Sequence, residues 1–281
     1  MYVEYWKLTE KPFENTPDPR FLYLSKQHEE ALFRMLYVVK ERKGAALITG
    51  EYGGGKTVLS RALIEKLSGG EYQLALILNP MLSSSQLIKE VIHQLGGSVS
   101  SAASKSVVYN RLNELLLKIN QSGRMAAVIV DEAQSISMGG FEEFRLMLNF
   151  QLNSRFLLTL ILLGQPELSA KIAKLPQLDQ RFALKYHLKA LSETETKEYI
   201  LWRVAVAGGA PGIFAEEAFA PIYRFTRGIP RMINNVCDLA LLVGGGEGSR
   251  TVDRALIDKV VADFEGKEYE SVEAGASQAG T

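Results

Sequence analysis

The stretch TGEYGGGKTVLS, residues 49–60, decides the fold of this chain. Glycines at positions 50, 53, 54 and 55 stand directly before Lys56 and Thr57. Glycine is costly to order and contributes no side chain to a core, so a cluster of four needs a reason. The spacing from Gly50 to Thr57 fits G-x-x-x-x-G-K-[ST], in which a glycine-rich loop binds phosphate. A flexible turn between two elements is the simpler alternative.

The flanking residues favour the phosphate loop. AALIT before it is an apolar run of strand length, and VLSRALIEKL after it has apolar residues at helical spacing. In that setting the amides of the loop and of the helix N-terminus point at an anion. Lys56 is then expected to reach the β- and γ-phosphates, and the Thr57 hydroxyl is expected to bind Mg²⁺. The residues predicted to bind the nucleotide are Gly50, Glu51, Tyr52, Gly53, Gly54, Gly55, Lys56, Thr57 and Val58.

Composition predicts a soluble globular protein. The chain has 281 residues, of which 47% are hydrophobic, and its formal net charge is zero. That size is enough for one large domain or two smaller ones, and a zero net charge gives no global attraction for nucleic acid or membranes. Cys237 is the only cysteine, the N-terminus lacks the apolar segment of a signal peptide, and the longest apolar run, FLLTLILL, is too short to span a membrane. The expected location is the cytoplasm, with contact to the inner membrane only through a partner.

Alternating strand and helix patterns predict an α/β domain over residues 1–190. Five apolar runs have strand character, and helical periods separate them, which argues for a parallel sheet covered on both faces. An aromatic- and proline-rich arm, residues 1–25, precedes this pattern and is assigned to the same domain. The predicted strands after the first are Gln73–Leu78, Met125–Val130, Phe156–Leu163 and Phe182–Leu188, with one helix expected around Phe141–Leu152.

The pattern changes at Ser192. SETE, residues 192–195, fits a capping box that opens a helix. Only helical periodicity follows, so residues 191–265 are predicted to form a small all-helical unit. The small, polar and acidic residues 266–281 are predicted to be a disordered tail.

A pair of carboxylates follows the third predicted strand. VIVDEAQS places Asp131 and Glu132 at the carboxyl end of an apolar strand, where parallel sheets bind ligands. An ordinary acidic loop is the alternative, but the glycine loop favours function. Asp131 is expected to hold Mg²⁺ through water, and Glu132 to polarise an attacking water, which favours a hydrolase over a nucleotide kinase.

Three further polar residues are candidates for contacts with phosphate. Gln165 follows the fourth predicted strand, at the same edge as Asp131, and is otherwise a turn residue before a proline. Arg181 precedes the fifth strand, and Arg231 opens a helix after Gly228 and Pro230, which fix the entry of the chain. The planar donor group of arginine suits phosphate oxygens, although most arginines are simply exposed. Tyr23 and His28 could line a base pocket, but packing is the favoured interpretation.

Taken in order, GEYGGGKT, VIVDEAQS, LLGQPEL, LDQRF and GIPRMINNVCDLALL resemble the AAA+ ATPases of the general secretion pathway protein A (ExeA-type) family. ATPases of exosortase and exopolysaccharide loci and TniB-like transposition ATPases are similar. The N-terminal arm resembles that family too, so the resemblance extends over nearly all of residues 1–265.

The resemblance implies a P-loop NTPase of AAA+ type, with sheet order 5-1-4-3-2 and a helical lid. It implies that Lys56 and Thr57 are the Walker A pair and that Asp131 and Glu132 are the Walker B pair. It further implies that Gln165 holds the sensor-1 place, Arg231 the sensor-2 place, and Arg181 the place of an arginine finger that reaches the nucleotide of a neighbouring subunit. The cofactors implied are ATP and Mg²⁺, and the implied catalytic set is Glu132, Lys56, Gln165, Arg181 and Arg231.

Two departures from the family pattern limit what is transferred. Sensor-1 is asparagine in many AAA+ proteins, and ExeA-type proteins carry a membrane span and a peptidoglycan-binding domain after the ATPase. Wall binding and membrane insertion are therefore not expected here. The leading hypothesis is a homo-oligomeric ATPase that remodels a protein partner in envelope secretion or exopolysaccharide export. The alternatives are a DNA-linked ATPase and an ATP-dependent binding switch that barely hydrolyses.

Overall fold

The computed structural model describes residues 2–16, 18–21, 23–78, 80–153 and 155–266. The chain divides into two compact units: residues 26–189, and residues 1–25 together with the chain from residue 190 onward. The first is here called the α/β unit and the second the helical unit. The change of unit at residue 190 agrees with the change of sequence pattern at Ser192. Apart from Gly266, the predicted tail lies outside the described residues.

A five-stranded parallel sheet forms the centre of the α/β unit. Its spatial order is β5-β1-β4-β3-β2, which confirms the order expected from the resemblance. Every residue of β1 and of β4 is buried, as expected for central strands with both faces covered. The strands are β1 Ala45–Gly50, β2 Tyr72–Ile77, β3 Met125–Val130, β4 Leu158–Gly164 and β5 Phe182–Leu188.

Seven α-helices and one 3₁₀ turn are described in the α/β unit. The apolar faces of several of these helices pack on the sheet, for example Leu87, Ile88 and Val91 of one helix and Leu112 and Leu116 of the next. The helices are Lys26–Lys40, Lys56–Lys66, Ser84–Gln94, Lys105–Gln121, Met138–Met147, Glu167–Ala173 and Pro176–Asp179, and the 3₁₀ turn is Ala133–Ser135.

One helix and one strand have boundaries that differ from those that their patterns predict. The helix expected around Phe141–Leu152 spans Met138–Met147, with Ser137 as its N-cap. Residues 151–152 instead pair with Arg155–Phe156 in a short antiparallel ladder. The pattern predicts that the fourth strand begins at Phe156, whereas β4 begins at Leu158. The apolar residues of the helix pattern continue without a break into those of the strand pattern. Periodicity alone therefore misplaces both the end of the helix and the start of β4.

The helical unit contains five α-helices among the described residues. Ser192 caps the helix Glu193–Val206. Its hydroxyl oxygen accepts the backbone N–H of Glu195, and the Glu195 carboxylate accepts the backbone N–H of Ser192, which confirms the predicted capping box. The other helices are Tyr2–Tyr5, Phe219–Thr226, Pro230–Glu247 and Arg254–Glu265, with 3₁₀ turns at Pro19–Phe21 and Glu216–Ala218.

The N-terminal arm packs within the helical unit, not within the α/β unit to which its sequence position assigned it. Trp6 and Phe13 are buried in the core of the helical unit, and the indole N–H of Trp6 donates to the carbonyl oxygen of Leu241 at 2.8 Å. Arg203 is 5% exposed and donates to the carbonyl oxygens of Pro12 and Glu14. The aromatic residues of the arm therefore complete a core whose other half is about 200 residues away in sequence.

Within the described residues, no helix has the length and apolar character needed to cross a bilayer.

Candidate functional site

The glycine loop joins β1 to the helix Lys56–Lys66, as the motif predicts. β1 ends at Gly50, and Gly55 is the residue that precedes the helix, with φ 93°. Because glycine has no side chain, the first amides of the helix receive no side-chain cap from this position. They are therefore available to an anion at the positive end of the helix dipole.

Close contacts explain why glycine occupies two of these positions. A Cβ atom at Gly50 would lie 2.7 Å from the carbonyl oxygen of Leu188 in β5. A Cβ atom at Gly55 would lie 3.0 Å from Nε2 of His28, and its φ belongs to the left-handed region. The loop is therefore a tightly packed cradle and not a flexible turn.

Lys56 folds back onto this loop. Its ammonium group donates to the carbonyl oxygens of Gly50 and Glu51, both at 2.8 Å, and the residue is only 4% exposed. Burial lowers the pKa of Lys56, and the negative charges of Glu132 and Asp131 act in the opposite direction. A buried cation is thus held at the end of β1, where phosphate oxygens would be its natural partners.

Asp131 lies at the same edge of the sheet. It follows β3, is 2% exposed, and accepts a hydrogen bond from the backbone N–H of Glu132 at 2.9 Å. Its carboxylate also accepts the hydroxyl of Thr57, which joins it to the helix of the phosphate loop. Burial raises the pKa of Asp131, although both hydrogen bonds act to lower it.

The oxygens of Thr57 and Asp131 form a donor set that fits Mg²⁺. This ion takes oxygen ligands and is usually held by one or two carboxylates, the phosphates of the substrate and several waters. A hydroxyl and a carboxylate in direct contact beside the phosphate loop therefore suit a magnesium ion held jointly with a bound triphosphate.

Glu132 is half-buried and has an unusual backbone conformation. Its φ is 51° and its ψ is 34°, directly before the 3₁₀ turn Ala133–Ser135. A residue with a side chain costs roughly 1 kcal/mol or more in this region, and such strain concentrates at functional sites. The strained backbone therefore favours a functional interpretation of the carboxylate over an ordinary acidic loop.

Gln165 follows β4, which lies between β1 and β3. The structure thus brings Gln165 to the same carboxyl edge as Lys56 and Asp131. Its backbone N–H donates to the side-chain oxygen of Gln134 at 3.1 Å. The amide nitrogen of Gln134 donates in turn to a carboxylate oxygen of Glu132 at 2.5 Å.

Sequence reasoning did not select Gln134. Its position two residues after Glu132, within DEAQ, was the only available signal.

His28 was considered only as a residue of a base pocket or of packing. His28 is 4% exposed, and its Nε2 lies 3.2 Å from the carbonyl oxygen of Gly54.

The remaining loop residues differ in exposure. Glu51 and Tyr52 are exposed, and Val58 is partly buried in the first turn of the helix. Their predicted contacts with nucleotide stay predictions.

Arg181 lies at the opposite edge of the sheet. It directly precedes β5, whose first residue is in register with the first residue of β1. Its guanidinium donates to Oδ1 of Asn149 at 2.8 Å. A strand of six residues is roughly 17–20 Å long, so Arg181 is too far away to reach the phosphate loop of its own chain.

Arg231 is the second residue of the helix Pro230–Glu247 in the helical unit. The entry of the chain into this helix is fixed as predicted. Gly228 has φ 72°, its carbonyl oxygen accepts the N–H of Leu191 at 2.9 Å, and a Cβ there would lie 1.9 Å from the carbonyl oxygen of Leu191. The predicted role of Arg231 as a phosphate sensor stays a prediction.

Comparison with known proteins agrees with this geometry. Residues 39–172, which include the phosphate loop, Asp131, Glu132 and Gln165, match the model of a family described as AAA domain. The chain is 36% identical over 254 residues to general secretion pathway protein A of Aeromonas hydrophila, a match that covers 90% of this chain. The chain thus resembles AAA-domain proteins over residues 39–172 and general secretion pathway protein A over most of its length. The match covers 46% of the Aeromonas protein, so this chain spans a little under half the length of that relative.

Solved AAA+ structures share the fold at low sequence identity. The ORC1 protein of Aeropyrum pernix, solved in complex with DNA, is 16% identical with a TM-score of 0.68, and the match covers 92% of this chain and 70% of that one. The ORC2 protein of the same organism is 18% identical with a TM-score of 0.65, covering 90% and 71%. Domain III of the Thermotoga maritima replication initiation protein DnaA is 16% identical with a TM-score of 0.57, covering 90% and 98%. These likenesses confirm the predicted P-loop fold of AAA+ type.

Proposed function

We propose that this protein is an AAA+ ATPase that hydrolyses ATP to ADP and phosphate and uses the reaction to remodel a partner assembly. One observation carries the proposal. The buried Lys56 ammonium, the Thr57–Asp131 contact and the strained Glu132 all lie at the same carboxyl edge of the sheet. Each has a separate role in phosphoryl transfer, and an ordinary loop has no use for all three.

The phosphate loop supplies the binding step. The backbone amides around Gly55 and the start of its helix surround the phosphate chain, and Lys56 transfers its hydrogen bonds from its own loop carbonyls to phosphate oxygens. Because Lys56 is already held in place and desolvated, little reorganisation accompanies this exchange. Thr57 and Asp131 would hold a magnesium ion, which when bound would neutralise charge on the phosphates.

Glu132 supplies the hydrolytic step. Glu132 is half-buried and directly follows Asp131, and its backbone has left-handed φ and ψ angles. There it orients a water molecule toward the terminal phosphate and accepts the proton that this water loses. In this proposal Gln165, which follows the strand between β1 and β3, contacts the terminal phosphate or the water.

Arg181 acts on a neighbouring subunit in this proposal. It lies at the amino edge of the sheet and cannot serve its own phosphate loop. An arginine supplied to a neighbour contributes roughly 10³- to 10⁵-fold in rate in other phosphoryl-transfer enzymes. The lone subunit is therefore expected to hydrolyse ATP slowly, and a homo-oligomer is expected to be the active form.

The partner is proposed to belong to an envelope secretion or exopolysaccharide export system. The similarity to general secretion pathway protein A supports this choice. A second candidate is a DNA-linked ATPase, which the fold of the ORC1 protein solved with DNA supports at the level of architecture alone. Salt-dependent DNA binding, measured with and without ATP, separates the two candidates.

Steady-state turnover across protein concentrations tests the proposal. We expect the rate per subunit to rise with concentration and Glu132→Gln to abolish turnover while Mg·ATP still binds. Glu65→Gln, an exposed residue on the helix Lys56–Lys66, is the control and leaves turnover unchanged. A flat, negligible rate with intact binding would instead support a binding switch, and an unchanged rate in Glu132→Gln would contradict the hydrolytic role.

A further inference from the structure

Gln134 bridges the two polar residues that follow β3 and β4. Its Oε1 accepts the backbone N–H of Gln165 at 3.1 Å, and its Nε2 donates to Oε2 of Glu132 at 2.5 Å. The two halves of one side-chain amide are thus used on two different strands. Both of these partners are candidate functional residues, whereas Gln134 itself has no part in the proposed hydrolysis.

The orientation of this amide is fixed by its partners. A backbone N–H can only donate, and an ionised carboxylate can only accept. If the amide were reversed, its NH₂ group would face the N–H of Gln165 and its oxygen would face the carboxylate of Glu132. Both contacts would then be repulsive, so only one of the two orientations satisfies the site.

The surroundings hold Gln134 in place. A Cβ at Gly164 would lie 2.8 Å from Oε1 of Gln134 and 3.2 Å from its backbone nitrogen, so the end of β4 packs directly on this residue. The ammonium group of Lys171 donates to the backbone carbonyl oxygen of Gln134. Both the backbone of Gln134 and its terminal amide are therefore held by contacts.

We propose that Gln134 is a positioning residue that couples Gln165 to the carboxylate of Glu132. The inference rests on the proposed hydrolytic function and deepens it. A displacement of the Gln165 backbone, as when a terminal phosphate is gained or lost at the end of β4, stretches or relaxes the bond to Gln134. The same amide then reorients the Glu132 carboxylate, which acts on water. Binding of phosphate at the end of β4 therefore controls whether Glu132, at the end of β3, is positioned for hydrolysis.

Two substitutions separate the two bonds. Gln134→Met keeps the length and volume of the side chain but removes both hydrogen bonds. Gln134→Glu keeps an oxygen acceptor for the N–H of Gln165 but places an acceptor against Glu132. Gln151→Met, at an exposed position of the short ladder in the same unit, is the matched control.

Turnover and equilibrium binding of Mg·ATP are measured for all variants and the parent. We expect kcat to fall about 10- to 100-fold in Gln134→Met, as when the partner of a charged group is lost. In Gln134→Glu we expect kcat to fall by at least the same factor, because the introduced carboxylate repels that of Glu132. The Kd for Mg·ATP stays within about threefold in both variants, and Gln151→Met behaves like the parent.

The nucleotide-free protein provides a second measurement. In ¹H–¹⁵N NMR spectra, the amide proton resonance of Gln165 shifts upfield in Gln134→Met, which has lost the acceptor, and remains near its parental position in Gln134→Glu. A merely structural role would move binding, melting temperature and turnover together and would not separate the two variants.

The outcomes distinguish this inference from the proposed function. Turnover in Gln134→Met and Gln134→Glu within twofold of an active parent would overturn the coupling role alone. An unchanged Gln165 resonance in Gln134→Met would also overturn it. A parent that binds Mg·ATP but never turns it over would overturn the hydrolytic function, and with it this inference.

Discussion

The backbone N–H of Glu132 donates to Oδ1 of Asp131 at 2.9 Å, and Asp131 is 2% exposed. The two adjacent residues therefore have different environments: Asp131 is buried, whereas Glu132 is half-buried and has a strained backbone. This division suits a metal-orienting residue and a residue that acts on water. The buried charge of Asp131 is therefore not needed for the stability of the fold.

Asp131→Asn is therefore expected to stabilise the nucleotide-free protein. Burial raises the pKa of Asp131, so the charged form is disfavoured in the folded state, and asparagine keeps an oxygen for the N–H of Glu132. We expect a gain of about 1 kcal/mol, or a melting temperature roughly 2–4 °C higher, while Mg²⁺-dependent ATP binding is lost. Differential scanning calorimetry at pH 7 measures the change.

The pH dependence of this gain has a defined sign. A carboxyl group with a raised folded pKa destabilises the folded state fully above that pKa, and the effect disappears as the pH falls toward the ordinary value of 3.8. The difference in melting temperature between Asp131→Asn and the parent should therefore shrink as the pH is lowered. A difference that grows on acidification would contradict this account.

Gly228→Ala is expected to destabilise the helical unit. The new Cβ would lie 1.9 Å from the carbonyl oxygen of Leu191, at a backbone φ of 72°. We expect a loss of ~3 kcal/mol or more in the free energy of unfolding. Gly246→Ala is the matched control: it lies in the helix Pro230–Glu247 with open space around it, and gains up to about 1 kcal/mol. Chemical denaturation followed by circular dichroism compares them, and equal midpoints for the two variants would refute the steric argument.

Subunits that lack Arg181 and subunits that lack Lys56 should complement each other. Arg181→Ala retains a phosphate loop, and Lys56→Ala retains the arginine offered to a neighbour. Each variant alone is expected to hydrolyse ATP at no more than roughly 10⁻³ of the parental rate. A mixture of the two variants should hydrolyse ATP well above the rate of either variant alone. The double variant mixed with Lys56→Ala should recover nothing. A rate for the mixture equal to the average of its components would show that Arg181 does not act between subunits.

His28 is expected to orient the phosphate loop. A carbonyl oxygen only accepts, so Nε2 of His28 carries the proton that is donated to Gly54 at 3.2 Å. Because a trans peptide points its C=O and N–H in opposite directions, this bond directs the amide of Gly55 away from the ring. We expect His28→Leu to weaken Mg·ATP binding about 5- to 10-fold and His28→Gln, which keeps an N–H donor, to restore most of it. The exposed His93 provides the control His93→Leu, and unaltered affinity in His28→Leu would argue against the role.

Local sequence pattern was sufficient for the parallel strands and for the glycine loop, whereas the order of the strands was expected only from the family resemblance. β1 and the helix after it are consecutive in sequence, so a glycine motif between an apolar run and a helical period predicts the loop directly. Asp131 was found because parallel strands expose their carboxyl ends at one edge. The capping box at Ser192 was predicted because its two residues are three positions apart.

Contacts between distant residues left no comparable signal. Trp6 reaches the carbonyl of Leu241 across 235 positions, so neither periodicity nor composition could assign the arm to the helical unit. Gln134 bonds a residue 31 positions away, and its role depends on β4 lying between β1 and β3. These features follow from the tertiary arrangement, which short-range patterns do not encode.

Calorimetric titration of Mg·ATP into the parent protein and into Lys56→Ala is the most direct test of the phosphate site. Lys66→Ala, at the exposed end of the same helix, is the control. The account predicts saturable binding to the parent and to Lys66→Ala, and binding at least ~10-fold weaker to Lys56→Ala, because a charged hydrogen-bond donor is lost. A parent protein with no measurable affinity for Mg·ATP, and a Lys56→Ala variant that behaves in the same way, would contradict it.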